Sequence, residues 1–403
     1  MTDARPPDSV PRVMLFVWSI PHYRVALYRR LSRNPGIHFT VCSGQDASVY
    51  GGGSVALADE LQSGDGIRRR IIRSRRLRGP FLRDWEWQPE ALGIVWRERP
   101  DAVITFGTKS VSNWLLRVVS KMRGVRLLDW GQGVKGPQGG LKWLMRKIYL
   151  DVADAVLLYG TWARDYFVSR GVDPNRIFVV RNSLDHEDQV RLRATVTPDD
   201  IVQTRREFNA DDPDARLIIH AGRLESRKRL DLLIEALSGP RAQASGPDPH
   251  KVIAILVGDG PEESRLKELA RAKGVSNRTH FLGAVYDEAR LARLFCAADL
   301  CVAPGAVGLL AMHSLVYGTP ILTCENTEFE HGPEVETIVE GHSGSYFRFG
   351  DARDLSAKME AMLFPEPCKP HMSAACRAVI DEFYTPEHQQ RVLLEAIKSV
   401  RLC

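Results

Sequence analysis

The chain has 403 residues, of which 44% are hydrophobic and 26% charged; these values belong to a globular protein with room for two domains and exclude a disordered or fibrous chain. No apolar run reaches the roughly 18 residues of a membrane-spanning helix, and the polar, Pro-rich start MTDARPPDSV lacks the regions of a secretory signal, so a cytoplasmic protein is expected. The net charge of +5 is uneven: residues 1–190 hold 29 Lys+Arg against 19 Asp+Glu, a net of +10, which leaves −5 for the rest and points the front half at something anionic.

The segment RVMLFVWS at 12–19 reads as a buried strand, followed by a helix carrying Val25, Leu27, Tyr28 and Leu31 among arginines. Strands are expected again at 37–42, 102–106, 126–129, 155–159 and 177–180. Residues 186–214 are rich in charge, and a linker between two halves is expected near residue 186. Beyond it the alternation restarts at 217–220, 252–257, 280–282, 300–302 and 320–323, and the chain closes with helical spacing over 386–402. Strands alternating with helices predict an α/β protein with mostly parallel sheets covered on both faces. The expected domains are residues 1–185 and 186–385, each doubly wound and Rossmann-like, with the final helix (386–403) packing back on the first. Two such halves meeting at a cleft suit a nucleotide-containing ligand, because these sheets bind ligands beyond the carboxyl ends of their strands.

Seven cysteines occur with no C-x-x-C pair, so buried reduced thiols are expected and a zinc site is not. Two segments combine cations with apolar side chains: RRRIIRSRRLRGPFLR, from Arg68 through Arg83, and KWLMRKIY, from Lys142 through Tyr149. Both suit an anionic membrane surface, with a solvated basic loop as the alternative. No nucleic-acid recognition motif accompanies them, so no nucleic acid is expected.

The densest chemical signal is IIHAGRLESRKRLDLLIEAL, starting at Ile218. A strand ends near His220, Ala221-Gly222 turns, and Arg223 and Lys228 emerge beside the strand end. Two fixed cations there clamp a diphosphate, Arg as a planar fork and Lys as a point charge. Solvated surface charge is the competing reading, which the neighbouring motifs outweigh. Further on, Ala303-Pro304-Gly305-Ala306-Val307-Gly308-Leu309 follows a strand and opens a helix, where small residues let backbone approach an anion.

At these residues the sequence resembles the family 4 glycosyltransferases. Gly222-Arg223-Leu224, Lys228, Asp231 and Leu233-Ile234-Glu235-Ala236 come first. Val257-Gly258-Asp259-Gly260-Pro261-Glu262, Phe281-Leu282-Gly283, Ala298-Asp299 and Gly318-Thr319-Pro320 then follow in the family's order. The likeness covers roughly residues 216–350 and is thinner in front, at Pro21-His22-Tyr23-Arg24 and Asn182-Ser183. It implies the GT-B fold and sugar transfer with retention from a nucleotide-sugar donor to a saccharide or lipid-linked saccharide, in polysaccharide or glycolipid synthesis. Many members carry two Glu eight residues apart; Gly305 and His313 stand at those positions here. Where relatives often have His-Gly, this chain has Trp130-Gly131-Gln132-Gly133. Glu334 and Glu336, in Gly332-Pro333-Glu334-Val335-Glu336, are the carboxylates that could replace the missing pair near the sugar.

The catalytic set expected is therefore Arg223, Lys228, Gln132 and Glu334. The donor side comprises Gly222, Gly283, Val285, Gly305, Val307, Gly308, Leu309, His313 (through a ring nitrogen to the ribose) and Glu336. His22 and Tyr23 face the acceptor. The one Asp-x-Asp triplet, Asp212-Pro213-Asp214, lies in the charged stretch ahead of the family motifs, so no metal or other cofactor is expected. A sugar-nucleotide 2-epimerase of the same fold, or a non-catalytic nucleotide- or partner-binding protein, are the alternatives.

Overall fold

Strands rich in Val, Ile and Leu on both faces pair where helices cover both sides of a sheet. In the computed structural model, which describes residues 10–44, 66–77, 85–134, 136–239, 251–325 and 331–401, that rule produces two compact units. The first is Met1–Asp185 with Pro386–Cys403, the second His186–Thr385.

In the first unit the strands are β1 (Arg12–Val17), β2 (His38–Ser43), β3 (Arg69–Ile71), β4 (Arg75–Leu77), β5 (Trp85–Trp87), β6 (Ala102–Phe106), β7 (Arg126–Gly131), β8 (Ala155–Leu158) and β9 (Ile177–Val179). Seven form a parallel sheet in the order β3-β2-β1-β6-β7-β8-β9, and β4 pairs antiparallel with β5. Val13 of β1 lies opposite Phe39 of β2 and Ala102 of β6. The strand order therefore reverses between β1 and β6, where a doubly wound sheet opens a ligand crevice. Helix Pro386–Arg401 places Val392, Leu393, Ala396, Ile397 and Val400 in the same core as Val13, Leu15, Leu27 and Phe39. Each of the Val, Leu, Ile and Phe side chains contributes about 1.5–3 kcal/mol by leaving water.

The second unit holds β10 (Arg216–Ala221), β11 (Val252–Val257), β12 (Thr279–Gly283), β13 (Leu300–Ala303), β14 (Ile321–Cys324) and β15 (Gly344–Phe347), in the order β12-β11-β10-β13-β14-β15. Its reversal lies between β10 and β13, where Ile218 faces Leu300. The loops leaving these two strands, from Gly222 and from Pro304, therefore flank the switch point. Helix Leu230–Leu237 shows only Asp231 and Glu235 on its polar side and buries its other residues, packed with Leu355 and Met359.

The charged stretch at 186–214 is largely helical and lies in the second unit: helices His186–Thr195 and Pro198–Glu207 occupy it. Thr197 caps the second of these, accepting from Asp200 N at 3.1 Å while Asp200 accepts from Thr197 N; a capping box with Pro at the first helical turn is a helix start. One sequence reading is corrected: the basic stretch from Arg68 to Arg83 is not a free amphipathic face. Ile72 is fully packed with Phe16, Cys42 and Ile94, Arg69 donates to Ser43 Oγ at 2.9 Å, and Arg70 pairs with Glu98; residues 78–83 of that stretch lie outside the described residues. Strands β3, β4, β5 and β15 were not foreseen, being three or four residues long.

Candidate functional site

In the second unit, the turns after β10 and β11 are laced backbone to backbone. Gly222 N donates to Val257 O at 2.9 Å, Leu224 N to Asp259 O at 2.7 Å, and Gly258 N to Gly283 O at 2.7 Å. A Cβ on Gly258 would sit 2.0 Å from Gly222 O, and one on Gly260 2.3 Å from Leu224 O. No side chain fits between carbonyls this close, so the Gly258-Asp259-Gly260 and Gly222-Arg223-Leu224 motifs require one another. Gly283 belongs to the same stack, and Val285 is half-buried just beyond it.

On this platform Lys228 is buried, 8% exposed, at the end of the short helix Ser226–Lys228. Its Nζ donates to Ala306 O at 2.6 Å, tying the turn to the 304–309 loop, while Ala306 N donates to Arg227 O at 3.0 Å. Burial, with Arg227 beside it, pushes the ammonium down to about 8, although Glu225, Cys301 and Glu334 pull the other way. Arg223 is exposed, with its Nε 3.4 Å from Glu225. An exposed pair of this kind holds little energy and releases its cation readily to an anionic ligand.

Gly305 is fixed by packing as well. A Cβ there would lie 2.2 Å from Arg227 O, so the glutamate of the family pattern has no room in this loop. Val307 is buried, and Gly308 and Leu309 are half-buried ahead of helix Leu310–Val316. Glu334, 5% exposed in the turn Pro333–Thr337, brings its carboxylate against Gly332, a glycine whose own open side faces Gly308. The structure thus gathers Lys228, the Gly-rich loop and Glu334; Glu336 is half-buried in the same turn.

His313 is placed differently from expectation. Its Nε2 lies 2.8 Å from Glu288 Oε1, and its ring stacks on Phe295 at 5.1 Å. Burial raises the Glu288 carboxyl, but His313 beside it, with Gln189 and Tyr317 hydrogen-bonded to it, more than reverses this and holds it near 2. That ring nitrogen is engaged by a carboxylate of helix Glu288–Ala297, so a ribose meeting His313 has to use Nδ1 or displace Glu288.

Two buried histidines went unnoticed in the sequence. His220 Nδ1 donates to Val302 O at 2.9 Å, and its Nε2 has no hydrogen-bond partner among the described residues. Burial, with Lys228 nearby, holds the ring neutral by pushing it down to about 3. His331 bridges Val307 N and Cys324 O. Neither belongs to a recognisable spacing, so only the fold reveals them.

In the first unit, His22 and Tyr23 lie in the short helix His22–Arg24 after β1, with rings perpendicular at 5.8 Å; His22 is exposed. The next residue organises the region. Arg24, 3% exposed, stands 5.0–5.3 Å from the rings of Tyr23, Trp130 and Tyr159. It donates to Tyr159 Oη at 2.7 Å and to Gln389 Oε1 at 3.0 Å. Trp130 ends the buried part of β7, and Gln132 follows it, exposed. Asp129, next to Trp130, is buried against Arg117 at 2.7 Å. Of the expected residues, His22, Tyr23 and Gln132 belong to the first unit and the remaining ones to the second.

Among the described residues there is no group of three or more His, Cys, Asp or Glu able to hold a metal ion, and no helix long and apolar enough to cross a membrane. The six described cysteines are free thiols.

Residues 202–375 match the family described as glycosyl transferases group 1, and residues 20–183 match the glycosyl transferase 4-like domain. The chain is 28% identical over 202 residues to D-inositol 3-phosphate glycosyltransferase 2 of Catenulispora acidiphila, covering 48% of this chain and 44% of that protein. It is 36% identical over 111 residues to a GDP-mannose-dependent alpha-(1-6)-phosphatidylinositol dimannoside mannosyltransferase of Mycobacterium tuberculosis, 27% of each chain. It thus spans less than half the length of these curated relatives. Among solved structures, Anabaena HepE in complex with UDP superposes with a TM-score of 0.71 at 17% identity, covering 96% of this chain and all of that one. This last likeness shows the GT-B fold, two Rossmann-like halves.

Proposed function

We propose that this chain, which belongs to the group 1 glycosyl transferases, moves a sugar from a UDP- or GDP-sugar to a saccharide or lipid-linked saccharide, with retention, in polysaccharide or glycolipid synthesis. The observation that carries this reading is the cradle at the switch point of the second sheet. There a buried ammonium, Lys228, holds the Gly-rich loop, with Glu334 in the same cluster. The printed names of the relatives fit it: an inositol phosphate glycosyltransferase, a GDP-mannose-dependent mannosyltransferase, and a fold neighbour in complex with UDP.

In this reading Arg223 and Lys228 take the donor's diphosphate. As the glycosidic bond to phosphate stretches, negative charge grows on the leaving oxygen, and the two cations stabilise it where it forms. The acceptor hydroxyl attacks from the same face and passes its proton to that phosphate oxygen, so the protein need not supply a strong base; Gln132 serves by hydrogen bonding alone. Glu334 is the carboxylate assigned to the transferred sugar, Glu336 and His313 to the donor's ribose side, and His22 and Tyr23 to the acceptor. The two cations perform the charge neutralisation that a metal supplies in other transferases, which supports metal-independent transfer.

The acceptor reading extends to a membrane surface, and here the exposed residues favour one face. Helix Val111–Arg123 exposes Leu115, Val118 and Met122, and helix Gly140–Asp151 exposes Leu141, Leu144, Met145 and Ile148. The helices touch, Trp114 lying edge-on to Tyr149 at 4.6 Å. Together they carry Lys121, Arg123, Lys142, Arg146 and Lys147 outside the core, against one acid, Asp151, while Arg117 is buried on Asp129. Apolar side chains among cations fit an anionic bilayer surface. This keeps the segment from Lys142 to Tyr149, except that Tyr149 itself is buried, and drops the segment from Arg68 to Arg83.

The test is thermal stability of the full chain against UDP, GDP and their sugar conjugates, followed by transfer assays with the nucleotide that binds. A ligand at about 100 times its Kd adds about 2.7 kcal/mol. A shift lost in Arg223→Ala places the donor. Binding without transfer to any acceptor selects the non-catalytic alternative; conversion of the donor sugar without an acceptor selects the epimerase.

A further inference from the structure

Beneath the Gly-rich loop, His331 is 6% exposed and bonded at both ring nitrogens. Nδ1 lies 3.3 Å from Val307 N, and Nε2 lies 3.0 Å from Cys324 O and 3.4 Å from Cys324 Sγ. A backbone N–H only donates and a carbonyl only accepts. The ring must therefore be neutral, with a bare lone pair at Nδ1 and its proton on Nε2. No other protonation state satisfies both contacts, since imidazolium would aim an N–H at an N–H.

What this ring joins matters more than its own burial. Val307 N belongs to the loop, and Cys324 O ends β14, the neighbour of β13 from which the loop springs. The loop has three further ties: Ala306 N to Arg227 O, Ala306 O to the Lys228 ammonium, and a long contact of 4.0 Å from Cys324 Sγ to Gly305 O. The first two anchor it on the β10 side, the third on the β14 side. His331 adds the shorter tie on the β14 side, and it precedes the turn that delivers Glu334, three residues on. Val307 is itself buried, so without His331 its N–H would be an unsatisfied buried donor, and the loop would move to satisfy it.

We propose that His331 is a positioning residue for the donor's diphosphate: its neutral ring clamps Val307 N–H to the end of β14 and so fixes the loop that Lys228 shares, without touching the donor itself. This rests on the donor-site reading above, and it explains how a loop with glycine at 305 keeps one shape.

Two variants separate the clamp from simple filling of space. His331→Asn places an amide oxygen where Nδ1 accepts, and keeps the bond from Val307 N–H. His331→Gln reaches the Nε2 position but offers no acceptor at Nδ1. Titration calorimetry of the full chain with UDP and with GDP should give a Kd within about threefold of wild type for His331→Asn and at least about tenfold weaker for His331→Gln, the scale of one buried donor left unsatisfied. Equal affinities in the two variants, whether both intact or both weak, would overturn the clamp. Long-range 1H–15N correlation at the histidines of the wild-type chain tests the same point without any substitution: the proposal requires Nε2–H, and an Nδ1–H tautomer sinks it. Wild-type protein that binds neither nucleotide overturns the donor-site reading, and the clamp with it, before any variant is compared.

Discussion

The two sheets reverse their strand order in the same way but fill the reversal with different chemistry. In the second unit the strand ends are built from backbone: Gly258, Gly260 and Gly305 let carbonyls approach where a Cβ would sit 2.0–2.3 Å away. In the first unit the corresponding strand ends are built from side chains, with Arg24 enclosed by Tyr23, Trp130 and Tyr159. A backbone-built cradle is fixed in shape and suits an invariant ligand part such as a diphosphate. A side-chain-built surface is changed by single substitutions and suits a part that varies between relatives, such as an acceptor.

The contrast is broken most directly at Gly305. Glutamate there restores the family pattern, yet its Cβ would meet Arg227 O. Gly305→Glu should therefore abolish the nucleotide-induced thermal shift, about 2.7 kcal/mol at 100 times Kd. An unchanged shift would mean that the loop accepts a side chain and that packing does not dictate this glycine. The matching probe in the first unit is Arg24→Ala, which strips the cage of its cation and leaves Gln389 and Tyr159 without it. It should cost about 2–4 kcal/mol, from two charged hydrogen bonds and the ring contacts. Denaturant unfolding would read that loss, while nucleotide affinity should stay within twofold. A parallel loss of affinity would end the separation of roles.

The same contrast explains what was legible. Backbone approach demands glycine at fixed offsets, so the second unit announces itself through Gly222-Arg223-Leu224 and Gly258-Asp259-Gly260. The alternating apolar runs likewise gave most strands to within a residue or two. The Arg24 cage joins residues 23, 24, 130, 159 and 389, which share no spacing, and so cannot be read before the fold assembles them. His220 and His331 were hidden for the same reason. His313 shows the converse: its position along the chain suggested a ribose ligand, but its partner Glu288 lies on another helix.

A smaller effect is expected at the exposed apolar side chains of the first unit's helices Val111–Arg123 and Gly140–Asp151. If Lys121 and Lys142 contribute about 1 kcal/mol each at an anionic surface, replacing both by Gln should weaken partition onto phosphatidylglycerol vesicles about 30-fold. Co-sedimentation at low salt measures it, with zwitterionic vesicles as reference. Unchanged binding would show that the exposed leucines and methionines act without charge, and binding to neither vesicle removes the membrane from the reading.

The smallest effect is the most diagnostic for Lys228, because affinity and stability should move in opposite directions. Its folded-state pKa is about 8 against an ordinary value of 10.5. Between these values the unfolded chain binds more protons than the folded one, so this group's contribution to stability rises with pH across pH 8 to 10.5. The buried charge that opposes folding at neutral pH is then being discharged. The diphosphate needs that charge. Nucleotide affinity should therefore begin to fall near pH 8 and drop about tenfold by pH 9, whereas an exposed lysine would hold it flat past pH 10. Calorimetric titration from pH 7 to 9.5 reads the affinity, and denaturant unfolding over the same range reads the stability. Lys228→Arg, which stays charged throughout, should flatten both curves. Affinity that falls equally in wild type and Lys228→Arg would assign the titration to another group and leave Arg223 as the cation that meets the phosphates.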